Sequence, residues 1–191
     1  MSKNEETVFR VLAGVELNDA AIAGIMGNIK AESSFRTELR GYGGAGGICQ
    51  WEGLRQTRLK ECAEELGFEV ANIVFQIIFM ISEMLPKSRY RDVTCGSLFE
   101  TLKDLEDTEE NVEIAADFFN ALFERNRNRA TWEDVLKECQ RYGWNISRFS
   151  EKPNAFNGRY YLDAPKRRGA AMNYYKQIKD LRKEREENNY G

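Results

Sequence analysis

Apolar residues recur along most of this chain at the three- and four-residue spacing of helices, and glycines, prolines and capping residues mark where each run stops. The first run, Glu5 to Ala13, turns Val8, Val11 and Leu12 inward, with Val15 beyond, and Gly14 stops it. Next, Asn18 supplies an N-cap and Asp19 a first-turn negative charge to a helix whose Ile22, Ile25, Met26 and Ile29 share one face. Gly24 and Gly27 each lower helix propensity by roughly 1 kcal/mol relative to alanine, so a helix that keeps both predicts a neighbour packed hard against its backbone.

The pattern continues with Leu54 to Leu66, closed by Gly67, then Val70 to Leu85, ended by Pro86, and a shorter run from Leu98 to Leu105. Thr108 caps a helix with Val112, Ala115, Ala116, Phe119, Leu122 and Phe123 on its buried face. Thr131 and Asp134 suit the start of a helix through Tyr142, and Pro165 opens a last one carried by Ala171, Tyr174, Ile178 and Leu181. Between helices, residues 36–50 hold Gly41, Gly43, Gly44, Gly46 and Gly47, which suits tight turns or a small hairpin. The polar tail from about residue 182 is expected to fray. The fold expected is mainly α, a single domain over 1–191 with a small β element around 36–50.

Composition narrows the chemistry. The 191 residues contain no histidine, which removes the usual zinc ligand and the imidazole bases, so any hydrolysis rests on carboxylates and calls for no metal or cofactor. Cys49, Cys62, Cys95 and Cys139 are too widely spaced for a zinc site or a disulfide framework, and buried free thiols are expected. A net charge of −3 excludes a chain that binds nucleic acid or anionic membranes by its overall field. Lys166-Arg167-Arg168 and the run from Lys179 to Arg185 read as solvated helix faces rather than as an RNA or teichoic-acid contact. The apolar run Ile73 to Leu85 is broken by Gln76, Ser82 and Glu83 and is shorter than the ~20 residues of a membrane span, so it reads as a core helix. The N-terminal M-S-K-N-E-E-T lacks the apolar core of a signal peptide.

The candidate chemistry lies at the end of the central helix. Glu32 falls seven positions after Ile25 and three after Ile29, so it points the way of the apolar side chains, at the negative end of the helix. A carboxyl group partly withdrawn from water in this way is the setting of a general acid for a poor leaving group. A phosphate-binding reading of the glycines fails, because no lysine-serine or lysine-threonine pair follows them and no apolar strand precedes them.

A-E-S-S-F at 31–35, followed by G-G-I-C-Q-W at 46–51, resembles the phage tail lysozyme family, within the wider group of goose-type lysozymes and lytic transglycosylases. In that group a Glu-Ser pair ends the central helix and a Gly-(Leu/Ile)-x-Gln segment lines the sugar cleft; here Glu32-Ser33 and Gly47-Ile48-Cys49-Gln50 match, with Gln50 eighteen positions after Glu32. The likeness runs from about Val8 to Tyr175, through Trp51 and Arg55, Phe123-Glu124-Arg125 and Arg167, Arg168, Ala171 and Tyr175, with its specificity concentrated in residues 21–58. It implies a lysozyme-like helical domain that cuts the β-1,4 bond between N-acetylmuramic acid and N-acetylglucosamine, with Glu32 as catalytic acid, Ser33 steadying its surroundings, Gln50 hydrogen-bonding substrate, the Trp51 indole offering a face to a sugar ring, and Ser33, Tyr42, Gln50, Trp51 and Arg55 together on the substrate side. Peptidoglycan glycan strands and other phage tail proteins are the partners it implies, and a virion tail or an extracellular cell wall the place.

This sequence departs from the family's pattern in two ways. Asn126 stands where relatives often have proline, and residues 126–163 look like an insertion. The loop from Phe35 to Gly47 has no aspartate, which leaves a second catalytic carboxylate open between Glu38, Glu52 and the substrate's own groups, and with it hydrolysis against lytic transglycosylation. A non-catalytic saccharide-binding or tail-structural module is the alternative.

Overall fold

The computed structural model describes residues 1–38, 44–124, 129–130, 160–161 and 164–189, and the architecture is mainly α. Its helices are α1 (Lys3–Gly14), α2 (Asp19–Ser33), α3 (Gly53–Leu66), α4 (Ile73–Met84), α5 (Leu98–Lys103), α6 (Glu109–Phe118) and α7 (Ala164–Asn189); α6 runs on into a π-helical turn, Phe119–Glu124. Arg129–Ala130 pairs antiparallel with Tyr160–Tyr161, bringing together the two ends of the segment 131–159. The expected helix from Thr131 to Tyr142 lies outside the described residues. Among the described residues no helix is long and apolar enough to cross a membrane.

The capping chemistry fixes where these helices begin. Ser2 and Glu5 form a capping box on α1, Asn18 accepts from the Ala21 N–H on α2, Asn72 caps α4 and Thr108 caps α6. Gly67 closes α3 in the left-handed conformation. α7 continues past Leu181 as far as Asn189, with residues 182–188 exposed.

α2 is the axis of the core. Ile22, Ile25, Met26 and Ile29 are fully buried, roughly 1.5–3 kcal/mol apiece, but so are Ala20, Ala21 and Ala23, so the helix is covered all round rather than along one stripe. Small residues permit this. A Cβ on Gly24 would fall 2.5 Å from Ala115 Cβ and 2.7 Å from Ala116 N on α6, and one on Gly27 would fall 2.6 Å from Ala171 N on α7. The neighbour expected from the glycines is in fact two helices, α6 against Gly24 and α7 against Gly27.

Cross-links give their directions. Asn18 reaches the Leu105 carbonyl, the Ala20 N–H donates to Asp107 at 3.0 Å, and Asn28 reaches the Ala116 carbonyl at 2.9 Å, so α2 and α6 run parallel. α7 runs antiparallel: Arg182 meets Asp19, Ala171 lies on Gly27, and Arg167 meets Glu32.

The glycine-rich segment is barely β. Gly46 and Trp51 form an isolated antiparallel bridge, with N–H···O distances of 3.2 and 2.8 Å, around a tight turn at Gly47–Gln50. The small β element expected around 36–50 reduces, among the described residues, to this bridge, because the turn is anchored by side chains rather than by a partner strand.

Candidate active site

Glu32 sits in the last turn of α2, which ends at Ser34 and Phe35, both with positive φ. Its side chain is 23% exposed, and Oε1 accepts from Arg167 Nη2, whose own side chain is 4% exposed. Arg167 also donates to the Asn28 amide oxygen at 3.0 Å, so one guanidinium spans two successive turns of α2. Oε2 of Glu32 takes no hydrogen bond from the described residues.

Ser33 ties this helix end to the glycine turn. Its hydroxyl donates to the Ile48 carbonyl at 2.8 Å and accepts from the Phe35 N–H at 3.1 Å, and the residue is buried. The turn is held from the other side by Gln76 on α4. Gln76 accepts from the Ile48 N–H at 2.9 Å and donates to the Thr37 and Val70 carbonyls at 2.8 and 2.7 Å. Gly47 lies so close, with a virtual Cβ 3.0 Å from Gln76 Oε1 and the Trp51 ring and φ at +75°, that only glycine fits without a shift. Gln50 is half-buried at the tip of the turn with φ at +48°, a conformation that costs a residue with a side chain about 1 kcal/mol or more, and its amide donates back to the Gly47 carbonyl at 2.9 Å.

Trp51 and Arg55 converge on Glu83. The indole N–H donates to Glu83 Oε2 at 2.7 Å, while Arg55 Nε and Nη2 donate to its two oxygens at 2.7 and 2.8 Å. Arg55 also donates to the Phe123 carbonyl at 3.0 Å and lies 4.3 Å over the Phe123 ring, joining α3, α4 and the π-helical turn. Trp51 is 1% exposed and edge-on to Phe79, so its ring has no open face. The indole expected as a sugar platform packs the interior instead, and the Ser33 hydroxyl is likewise committed to backbone. Tyr42 lies outside the described residues, and Glu38 and Glu52 are exposed.

Cys49, within the turn, is buried, and burial first, with the charge of Glu124 second, pushes its thiol well above the usual range. It is packing rather than a nucleophile. Arg167 and Arg168 correct the reading of a solvated face. Both are buried, Arg168 on Asp117 with Nε at 2.7 Å, because Glu32 and Asp117 offer carboxylates from helices packed against α7. Among the described residues no group of His, Cys, Asp and Glu side chains could hold a metal ion.

Residues 3–178 match the model of the phage tail lysozyme family. The chain belongs to that family. No curated protein matches it significantly. The name of the phage tail lysozymes implies a lysozyme-like, tail-associated muralytic function, with peptidoglycan and tail proteins as partners.

The residues of this phage tail lysozyme to which sequence reasoning gave no role at the site are Asn28, Gln76, Glu83, Asn120 and Glu124, although Glu124 falls within the family likeness. Gln76 and Glu83 carry a signal, as polar positions inside the most apolar helix of the chain, both buried. Glu124 ends the π-helical turn, and its carboxyl is pushed well above the usual range by burial and then by the charge of Glu32.

Proposed function

We propose that this phage tail lysozyme cleaves the β-1,4 bond between N-acetylmuramic acid and N-acetylglucosamine in peptidoglycan, and that Glu32 protonates the leaving glycosidic oxygen. The observation that carries the reading is the setting of Glu32. It is the partly exposed carboxyl at the end of a helix that is buried from Asp19 to Ile29, oriented through Oε1 by Arg167, with Oε2 open to a ligand. Ser33 and Gln76 hold the Gly47–Gln50 turn against that helix end, which leaves Gln50 as the half-buried polar side chain at the turn's tip and the contact to substrate. Ser33, Trp51 and Arg55 act from behind, holding the turn and α3 in place. Tail-borne delivery to the cell wall, with neighbouring tail proteins as partners, belongs to the same proposal.

Digestion of purified peptidoglycan by the wild type and Glu32→Gln, with mass analysis of the released muropeptides, tests it. Positioned general acids contribute roughly 10²–10⁴-fold, and a loss of that size is expected in the variant. Equal digestion by both proteins would refute the role of Glu32. Reducing ends indicate hydrolysis, and 1,6-anhydro ends a lytic transglycosylase.

A second reading rests on the ion pair. A carboxylate held by a buried guanidinium can also serve as a brace, and a non-catalytic wall-binding or tail-structural module would then use these residues for stability alone. It predicts binding to sacculi that stay intact with both proteins.

A further inference from the structure

We infer that Glu124 is the second carboxyl of the site and, together with Asn120, holds the water that attacks the anomeric carbon. The inference rests on the hydrolytic reading of Glu32.

Register comes first. α2 and α6 run parallel, with Gly24 against Ala115 and Ala116 and with Asn28 bonded to the Ala116 carbonyl. Eight residues beyond Gly24 is Glu32, and eight beyond Ala115 and Ala116 are Phe123 and Glu124, so the shared course of the two helices sets Glu32 opposite the end of the π-helical turn. Arg167 and Arg55 confirm the proximity from two further sides. Arg167 is bonded to Glu32 and acts on the charge of Glu124, and Arg55 is bonded to the carbonyl of Phe123, the residue before it.

Unspent hydrogen-bonding capacity comes second. Both amide atoms of Asn120 and Oε1 of Glu124 are buried without a hydrogen-bond partner among the described residues. The two side chains lie four residues apart, about one turn, so they share a face of the π-helical segment, a type of local widening that recurs at functional sites. Buried polar groups in native proteins are paired with protein or with ordered water. A donor and two acceptors on one face suit a single water, which takes two to four such partners. Glu38 and Glu52, the first two carboxylates that follow Glu32 in the chain, are exposed and offer no such setting.

The step balances. The glycosidic C–O bond breaks as Glu32 gives its proton to the leaving oxygen; the water oxygen bonds to the anomeric carbon from the opposite face; and Glu124 accepts the proton that the water loses. Afterwards Glu124 is neutral and Glu32 is charged against Arg167. Burial first, and then the charge of Glu32 on α2, push the Glu124 carboxyl up against the pull of Arg167 on α7 and Arg55 on α3. The Glu32 contribution is absent while Glu32 holds its proton, so the ionised Glu124 that starts the step accepts a proton strongly once Glu32 has given its own away. Exchange of one proton with solvent at each carboxyl resets the pair.

The wild type alone gives the first test, by NMR of the newly formed reducing ends. Inversion to the α-anomer is expected, and retention or 1,6-anhydro ends would overturn the inference. The second test compares Glu124→Gln and Glu124→Ala with Glu32→Gln on the same peptidoglycan. A loss of at least 10²-fold is expected in Glu124→Gln with wild-type binding to sacculi, and partial recovery of Glu124→Ala in sodium azide, with azide in the product, which a merely structural residue would not give. Full activity in Glu124→Gln beside an inactive Glu32→Gln sinks Glu124 and leaves Glu32 standing. Full activity in Glu32→Gln sinks the reading of Glu32 itself.

Discussion

The two ends of α2 meet the same neighbouring helices and treat polar side chains in opposite ways. At the N-terminal end the Asp19 carboxylate is buried and fully engaged, by Arg182 at 2.6–2.8 Å and Lys179 at 3.2 Å, both from α7. Lys179 also reaches Asp107, and Asn18 closes the cap. At the C-terminal end a single guanidinium serves Glu32 and Asn28, while Asn120 and Glu124 keep capacity unspent in the interior. Where every lone pair is taken, the polar groups act as a brace. Where several are left over inside a protein, something other than the chain is meant to take them.

Four further measurements can break or sharpen that contrast. The largest effect is expected from Gly27→Ala, whose Cβ must push the backbone of Ala171 and Arg167 away from α2. About 3 kcal/mol of stability should go in a denaturant titration, and with Arg167 displaced, turnover should fall more than tenfold. Unchanged turnover in the folded variant would mean that the position of Arg167 does not matter to the site. Asp19→Ala comes next, at roughly 1–2 kcal/mol, since Lys179 and Arg182 are each about half exposed and can rehydrate. Because this end is only a brace, peptidoglycan turnover per folded molecule should stay within twofold of wild type.

Acid stability gives the third. Burial works against the Glu5 carboxylate, but the Tyr174 hydroxyl, the Ser2 N–H and Lys30 outweigh it and bring its pKa from the ordinary 4.5 to about 2. A depressed folded value means that Glu5 contributes fully above about pH 4.5, and that the contribution, about 1–2 kcal/mol after screening, disappears as the pH falls towards 2. Glu5→Gln should flatten the stability curve in that window, and an unchanged slope would place the acid sensitivity elsewhere. Gln50→Gly is the smallest. Relief of the positive φ should raise stability by about 0.5 kcal/mol while KM for glycan fragments increases; a lower KM would take Gln50 out of the binding surface.

Much of this could be read from the sequence because caps and stops are local. Asn18, Thr108 and Gly67 announce their helix ends, and Gly24 and Gly27 announce close neighbours without saying which. The site was only half legible. Glu32 stands out by position, but Arg167 and Arg168 read as a solvated pair, since their partners Glu32 and Asp117 are 135 and 51 positions away and no periodicity encodes a contact at that range. Trp51 looks like a sugar platform until Glu83 is seen to bind its N–H, because a pattern of residue types does not say which face of an indole is covered. The π-helical turn left no mark at all. Phe119 and Phe123 fit an ordinary helix equally well, and only the wider turn shows where Asn120 and Glu124 fall.

Cys49 has a practical consequence. It is a buried member of the Gly47–Gln50 turn, and its surroundings hold it in the unreactive protonated form. In a background with Cys62, Cys95 and Cys139 replaced by serine, a water-soluble alkylating reagent can reach it only while that turn lifts away from Ser33 and Gln76. Labelling rates with and without glycan fragments would then time the breathing of this region directly, one thiol serving as a stopwatch that evolution happened to leave in place.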